Sequence, residues 1–250
     1  MVSRFSVAFA ILAIIGVGYQ LSHKPTELLA FVPSSPKAPP ATWSAYGALF
    51  REHSTEAVSP ELLAALVQVE SAGDPLARTC WRWHWSWNPL DLYGPPSTAV
   101  GILQITDGNY DEARRLCDHL AVAREGPWRD PRACRFNYLY VRWIPSHAIE
   151  MTAAWLDRSV RETLGGRFAR STSAQRRRLA AVVHLCGRRR GVAFARRGFI
   201  ALPGERCGDR QLAVYLKRIS YFASEFARLA AIDGAGASPA GALEPRQGAM

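Results

Sequence analysis

The chain has 250 residues, 48% of them hydrophobic, enough to bury a full core, and once both ends are trimmed a single domain of roughly 190 residues remains. Its formal net charge of +10 rests almost wholly on arginine, with runs at Arg176-Arg177-Arg178, Arg188-Arg189-Arg190 and Arg196-Arg197, and favours anionic partners. No recognition-helix, zinc-ligand or aromatic RNA-binding pattern accompanies that charge, so a nucleic-acid partner is not expected.

Taken in chain order, residues 1–24 read as an export signal. Arg4 precedes an apolar run from Phe5 to Val17, extended weakly to Leu21, before Ser22-His23-Lys24-Pro25 turns polar. The run is short for a membrane span, which needs about 20 residues, and Gly16-Val17-Gly18 is only a weak cleavage site, so a cleaved signal peptide and a retained inner-membrane anchor both stay open. Residues 25–44, with Pro33, Pro36, Pro39 and Pro40, read as an extended linker, and residues 233–250 as a disordered Gly-, Ala- and Pro-rich tail. The domain proper is expected over 45–232.

The first strong helix signal runs from about 60 to 71. Ser59 is an N-cap, Pro60 suits the first helical position, and Gly73 before Asp74-Pro75 ends it. Leu63, Leu66 and Val67 precede Glu70 by seven, four and three residues, so this carboxylate projects from the apolar stripe. A carboxyl group with apolar walls is desolvated, which favours the protonated form a general acid needs; the alternative from this helix alone is a helix-end glutamate rotated into solvent or paired with one of the many arginines.

Beyond it, Cys80-Trp81-Arg82-Trp83-His84-Trp85-Ser86-Trp87 places tryptophan at every second position, which reads as a small extended segment with four indoles on one face. Such a flap packs on its own domain or walls a sugar groove. Ser97-Thr98-Ala99-Val100-Gly101-Ile102-Leu103-Gln104-Ile105 follows. Further helices are expected over Asn109–His119, Ser146–Leu164, Ser173–Leu185 and Asp209–Ala231. Five cysteines in an exported chain, with no Cys-x-x-Cys pair, point to disulfides rather than to a metal site. Cys117 with Cys134, and Cys186 with Cys207, would close short loops, leaving Cys80 over; spacing alone does not determine the connectivity, and five buried thiols are the alternative.

The helix ending in Glu70-Ser71 and the Gly101-Ile102-Leu103-Gln104 segment together resemble the lytic transglycosylases of the lysozyme-like superfamily. In that family a Glu-Ser at a helix end supplies the essential carboxylate, and a Gly-Leu-Met-Gln segment lines the sugar cleft. The resemblance covers roughly Ala57 to Phe222. It departs at Ala181-Val182-Val183-His184-Leu185-Cys186-Gly187, where the family's Ala-Tyr-Asn-Ala-Gly would put tyrosine at His184 and asparagine at Leu185. Ala148 likewise stands at a family asparagine, beside Ile149, Thr152, Trp155 and Leu156.

The resemblance implies a mainly α, lysozyme-like helical domain carrying the Trp-rich insertion. It also implies a monomeric periplasmic enzyme that cuts peptidoglycan glycan strands at the MurNAc–GlcNAc linkage, leaving anhydromuramoyl ends, with no cofactor and no metal. Glu70 would be both acid and base, supported by Ser71. Gln104, with backbone from Gly101 to Leu103, would position the sugar. His184, as a neutral imidazole, would hydrogen-bond Glu70 or the substrate's acetamido group, and Tyr215 would face the cleft. Two alternatives remain. A lysozyme-type hydrolase would need a second carboxylate, for which Asp91 and Asp107 are available, and a non-catalytic wall-binding protein would tolerate the divergent His184-Leu185 pair.

Overall fold

A computed structural model of the chain describes residues 4–23, 33–77, 82–83, 87, 93–94, 98–119, 121–125 and 139–236. The domain is helical, as expected, with short two-stranded ribbons between helices. Helix α1, Arg4–His23, exposes Phe9, Leu12, Ile14 and Ile15; among the described residues no helix is long and apolar enough to cross a membrane.

Helix α2, Pro39–Glu52, begins inside the stretch expected to be an extended linker. The two prolines serve as its first turn, and Thr42, Trp43, Gly47 and Phe50 turn inward. The segment before it is strapped to the end of the next helix. Lys37 N–H donates to Ala72 O at 2.6 Å, and the Ser34 hydroxyl and Ser35 N–H both donate to Asp74 Oδ2. Proline content reported correctly that residues 33–38 are not helical, but not that their polar groups have partners.

Helix α3, Pro60–Ser71, has the predicted ends. The Ser59 hydroxyl accepts from Leu62 N–H, and Ala72 and Gly73 close it in the left-handed region. Leu62 through Val69 are all buried, because α3 lies between α2 and the last helix, α8, Leu212–Gly236. Full burial of its leucines and valines contributes on the order of 1.5–3 kcal/mol each. α8 also differs from expectation at both ends. It starts three residues late because Arg206–Cys207 and Arg210–Gln211 pair as a ribbon around Gly208, and it runs on through residues assigned to the tail because Asp233 Oδ2 accepts from Trp43 Nε1 at 2.7 Å.

The predicted helix over Asn109–His119 is replaced by a short one, α4, Asp107–Ala113, followed by an antiparallel hairpin of β3, Leu116–His119, and β4, Val122–Glu125. Tertiary contacts decide this: Leu116 is buried in the core, and Asp118 pairs with His53 at 3.1 Å. The hairpin packs on α5, Pro145–Leu164, the second central helix, which in turn holds α6, Ser173–Cys186, and α7, Arg188–Arg196. A 3-10 turn, Gly165–Arg170, joins α5 to α6, and Thr172 with Gln175 forms a capping box at the start of α6.

Cys186 and Cys207 are bonded, with Cα atoms 5.3 Å apart, as the loop spacing suggested. Cys117 is also in a disulfide; Cys134, its expected partner, and Cys80 lie outside the described residues. Of the Trp-rich stretch, Arg82–Trp83 pairs antiparallel with Tyr93–Gly94 and Trp87 is 94% exposed, while Trp81, His84 and Trp85 lie outside the described residues.

Candidate active site

Glu70 occupies the last turn of α3 and its side chain is only 5% exposed. It lies at the floor of a cleft of about 690 Å³ that is also lined by Gln104, Thr152, Trp155, His184 and Arg210. Such a volume suits a ligand of several hundred daltons.

Three donors or potential donors converge on the carboxylate. Tyr215, from α8, donates its hydroxyl to Glu70 Oε1 at 2.9 Å. Burial, then the charge and hydrogen bond of Glu70, hold the Tyr215 phenol well above its ordinary pKa, so it stays a neutral donor. Arg210 Nη1 lies 2.9 and 2.8 Å from the two oxygens, and its guanidinium carbon is 5.9 Å from the Tyr215 ring centroid. His184 Nε2 stands at 4.0 Å from Oε1, too far for a hydrogen bond.

The imidazole of His184 is held below its ordinary pKa. Burial is the largest cause, Glu70 opposes it, Arg210 reinforces it, and a hydrogen bond with the Leu103 backbone opposes it. The neutral form expected from sequence is thus the favoured one, but its partner is the Leu103 backbone rather than Glu70. The expected apolar walls are likewise corrected: the cation beside Glu70 is Arg210.

The Gly101–Gln104 segment is a tight turn. Gly101 has φ +84°, and a Cβ there would lie 2.0 Å from the Arg142 carbonyl oxygen, so only glycine fits. Val100 and Ile105 bridge across the turn, and Gln104, itself at φ 49°, donates its side-chain amide to Ala77 O and Gly101 O. Ile102 and Leu103 are fully buried, so the Leu103 side chain belongs to the core and only its neighbours reach the cleft. Ser71 supports Glu70 indirectly. Its hydroxyl donates to Ile102 O at 2.7 Å, with Val67 O at 3.1 Å, and ties the end of α3 to the turn.

Arg142, unremarked in the sequence, locks this region. Its side chain, 9% exposed, donates to Thr98 O and Ile105 O and pairs with Asp107 at 2.7 Å. That contact occupies Asp107, which points outward with 60% exposure at the start of α4. Asp91 lies outside the described residues. Among the described residues, the carboxylate that lines the cleft with Glu70 is Asp209, at the turn of the Arg206–Gln211 ribbon. The helix expected over Asp209–Ala231 takes in both Asp209 and Arg210, whereas the structure places them in the ribbon; Cys207-Gly208-Asp209 is the turn signal that marks it.

Among known proteins, the model of the transglycosylase SLT domain family matches residues 48–182, more than half of the chain. No curated protein and no solved structure gives a match. The matched stretch contains Glu70, the Gly101–Gln104 turn and most of α6, and it ends two residues before His184. Helical architecture, buried helix-end glutamate and family match agree: the chain belongs to the transglycosylase SLT domain family, within the lysozyme-like superfamily.

Proposed function

We infer that this protein is a lytic transglycosylase that cleaves the MurNAc–GlcNAc linkage of peptidoglycan strands. The observation that carries the reading is a nearly buried Glu70 at the floor of a ligand-sized cleft, oriented by the neutral hydroxyl of Tyr215. Glu70, protonated, donates to the glycosidic oxygen as an oxocarbenium-like centre develops at the muramoyl C1. The substrate's own N-acetyl group stabilises that centre, which removes the need for a second protein carboxylate. Glu70, now ionised, takes the proton of the muramoyl hydroxymethyl, whose oxygen closes on C1 to give the anhydro ring. Gln104 and the backbone around it position the sugar, and His184 braces that backbone through Leu103. No step calls on a cofactor or a metal.

SLT domains act on peptidoglycan in the periplasm in general. We take the apolar N-terminus, residues 1–24, to be the export signal, either cleaved or retained as an anchor. Digestion of purified sacculi followed by mass analysis of the glycan ends tests the reaction: anhydromuramoyl ends support it. Replacing Glu70 with glutamine should reduce turnover by at least about 100-fold, since general acid–base catalysis contributes 10²- to 10⁴-fold. A folded variant that keeps more than about a hundredth of the activity would remove Glu70 from the mechanism.

One observation favours a second reading. Asp209 lines the same cleft, so a hydrolase that directs water with Asp209 would give reducing ends, and Asp209→Asn would then abolish activity.

A further inference from the structure

Arg210 poses a problem for the proposed chemistry. One guanidinium nitrogen contacts both oxygens of Glu70, and both contacts use Glu70 as an acceptor. A carboxyl group engaged in this way cannot present a proton to a glycosidic oxygen. Arg210 must therefore withdraw before the cleft can act, and once Glu70 carries its proton the guanidinium has lost its counter-charge. Two features let it move. Its side chain is 40% exposed, in contrast to the 5% of Glu70, and it sits at the end of a two-residue strand beyond the turn at Gly208.

The place to which it can swing is also on the surface of the protein. Arg210 forms the boundary between the cleft and a shallower depression of about 350 Å³ on the outer side of the ribbon and the start of α8. Arg206 and Arg218 line that depression, with Asp209 as its one carboxylate among the described residues. Arg218 is exposed and makes no ion pair among the described residues, and Arg206 donates to the Asp209 backbone carbonyl. Even with Glu70, the present partner of Arg210, counted beside Asp209, three guanidinium groups face two carboxylates among the described residues, which leaves a net positive receptor adjoining the catalytic group.

We propose that Arg210 is a specificity-determining residue that exchanges Glu70 for a carboxylate on the substrate, with Arg206 and Arg218 completing the receptor, so that the cleft acts preferentially on strands bearing anionic peptides. The proposal rests on the reading of Glu70 as the acid of a peptidoglycan-cleaving enzyme. The exchange keeps charge balanced: the substrate carboxylate pairs with Arg210 as Glu70 is released to take up a proton. A strand without that carboxylate leaves Arg210 on Glu70. The ribbon's position is fixed by the Cys186–Cys207 bond, which ties it to the α6 end that carries His184.

The test uses the full chain and two probes, glycan strands carrying peptides with free carboxylates and the same strands after carbodiimide amidation. The native protein should show kcat/KM about tenfold higher or more on the free-carboxylate strands, as expected for a charge-assisted contact. Arg210→Met should bring the two substrates to parity, Arg210→Lys should keep part of the preference, and Arg189→Gln, on the exposed start of α7, should leave it intact. A binding arm separates this proposal from the cleavage reading. In Glu70→Gln the guanidinium has lost its ionic partner, so the free-carboxylate strand should bind about tenfold more tightly than to the native chain, with the amidated strand unchanged. Native protein that cleaves neither probe but shows the binding preference would sink the cleavage reading and keep the role of Arg210. Equal treatment of both probes by the native protein, or an unchanged preference in a folded Arg210→Met variant, would overturn the exchange.

Discussion

Gly101→Ala tests how the cleft is held together. The alanine must adopt φ +84°, a left-handed conformation that costs an L residue roughly 1–2 kcal/mol, and its Cβ would stand 2.0 Å from Arg142 O. The obstructing atom is backbone, and Arg142 is immobilised by its own contacts to Thr98, Ile105 and Asp107, so the neighbour cannot yield cheaply. Forcing extra volume into such a place costs typically 1–3 kcal/mol more, and a loss of about 3 kcal/mol follows. For a domain of this size that lowers Tm by roughly 6–12 °C. Thermal unfolding followed by circular dichroism reads the shift. Gly166→Ala is the control, because that glycine has nothing within 4 Å of a Cβ and no positive φ. The displaced turn also carries Gln104 and the Leu103 backbone that His184 holds, so the folded fraction of Gly101→Ala should bind glycan strands more weakly. A Gly101→Ala protein melting within about 2 °C of the native chain would refute the reasoning.

His184 should make stability depend on pH. Its folded pKa lies below the ordinary value while the unfolded chain titrates near 6.5, so the unfolded state binds more protons as pH falls through and below 6.5 and the native state loses stability there. Chemical denaturation at pH 7.5 and 5.5 should therefore show His184→Gln costing less at the lower pH; an equal cost at both would contradict the buried neutral imidazole. Removing the Cys186–Cys207 bond by a double serine replacement should cost about 3 kcal/mol in a urea titration, because it closes a loop of sequence separation 21. A loss below about 1 kcal/mol would show that the ribbon is held by other contacts. Pelleting with intact sacculi should weaken as salt rises, since exposed arginines are screened over about 8 Å at physiological ionic strength. Salt-independent pelleting would show that the basic surface does not engage the wall.

Local signals made some elements legible and hid others. Both ends of α3 followed from Ser59, Pro60 and Gly73, whose effects are exerted within one turn. The start of α6 at Ser173 was equally plain, because Thr172 and Gln175 cap it locally. The β3–β4 hairpin was not, because what turns Leu116–His119 into a strand is a core contact and a pairing of Asp118 with His53, 65 residues away. α2 was masked by Pro39 and Pro40, which read as a linker and serve as a helix start. In the site, Glu70 could be found from helical periodicity, and Tyr215 and His184 from the family's pattern. Arg210 could not, since its contact spans 140 residues and depends on a ribbon of two-residue strands. Arg142 was hidden for a different reason: its partners at Thr98 and Ile105 are main-chain carbonyls, which carry no side-chain signature.

The most direct measurement is the chemistry of the new glycan ends. Native protein incubated with purified sacculi, with Glu70→Gln alongside, should release muropeptides ending in anhydromuramic acid, 18 Da lighter than the hydrolytic product because no water is added, as intramolecular ring closure requires. The glutamine variant should release essentially none. Reducing ends in place of anhydro ends, or no new ends at all from the native protein, would contradict the account.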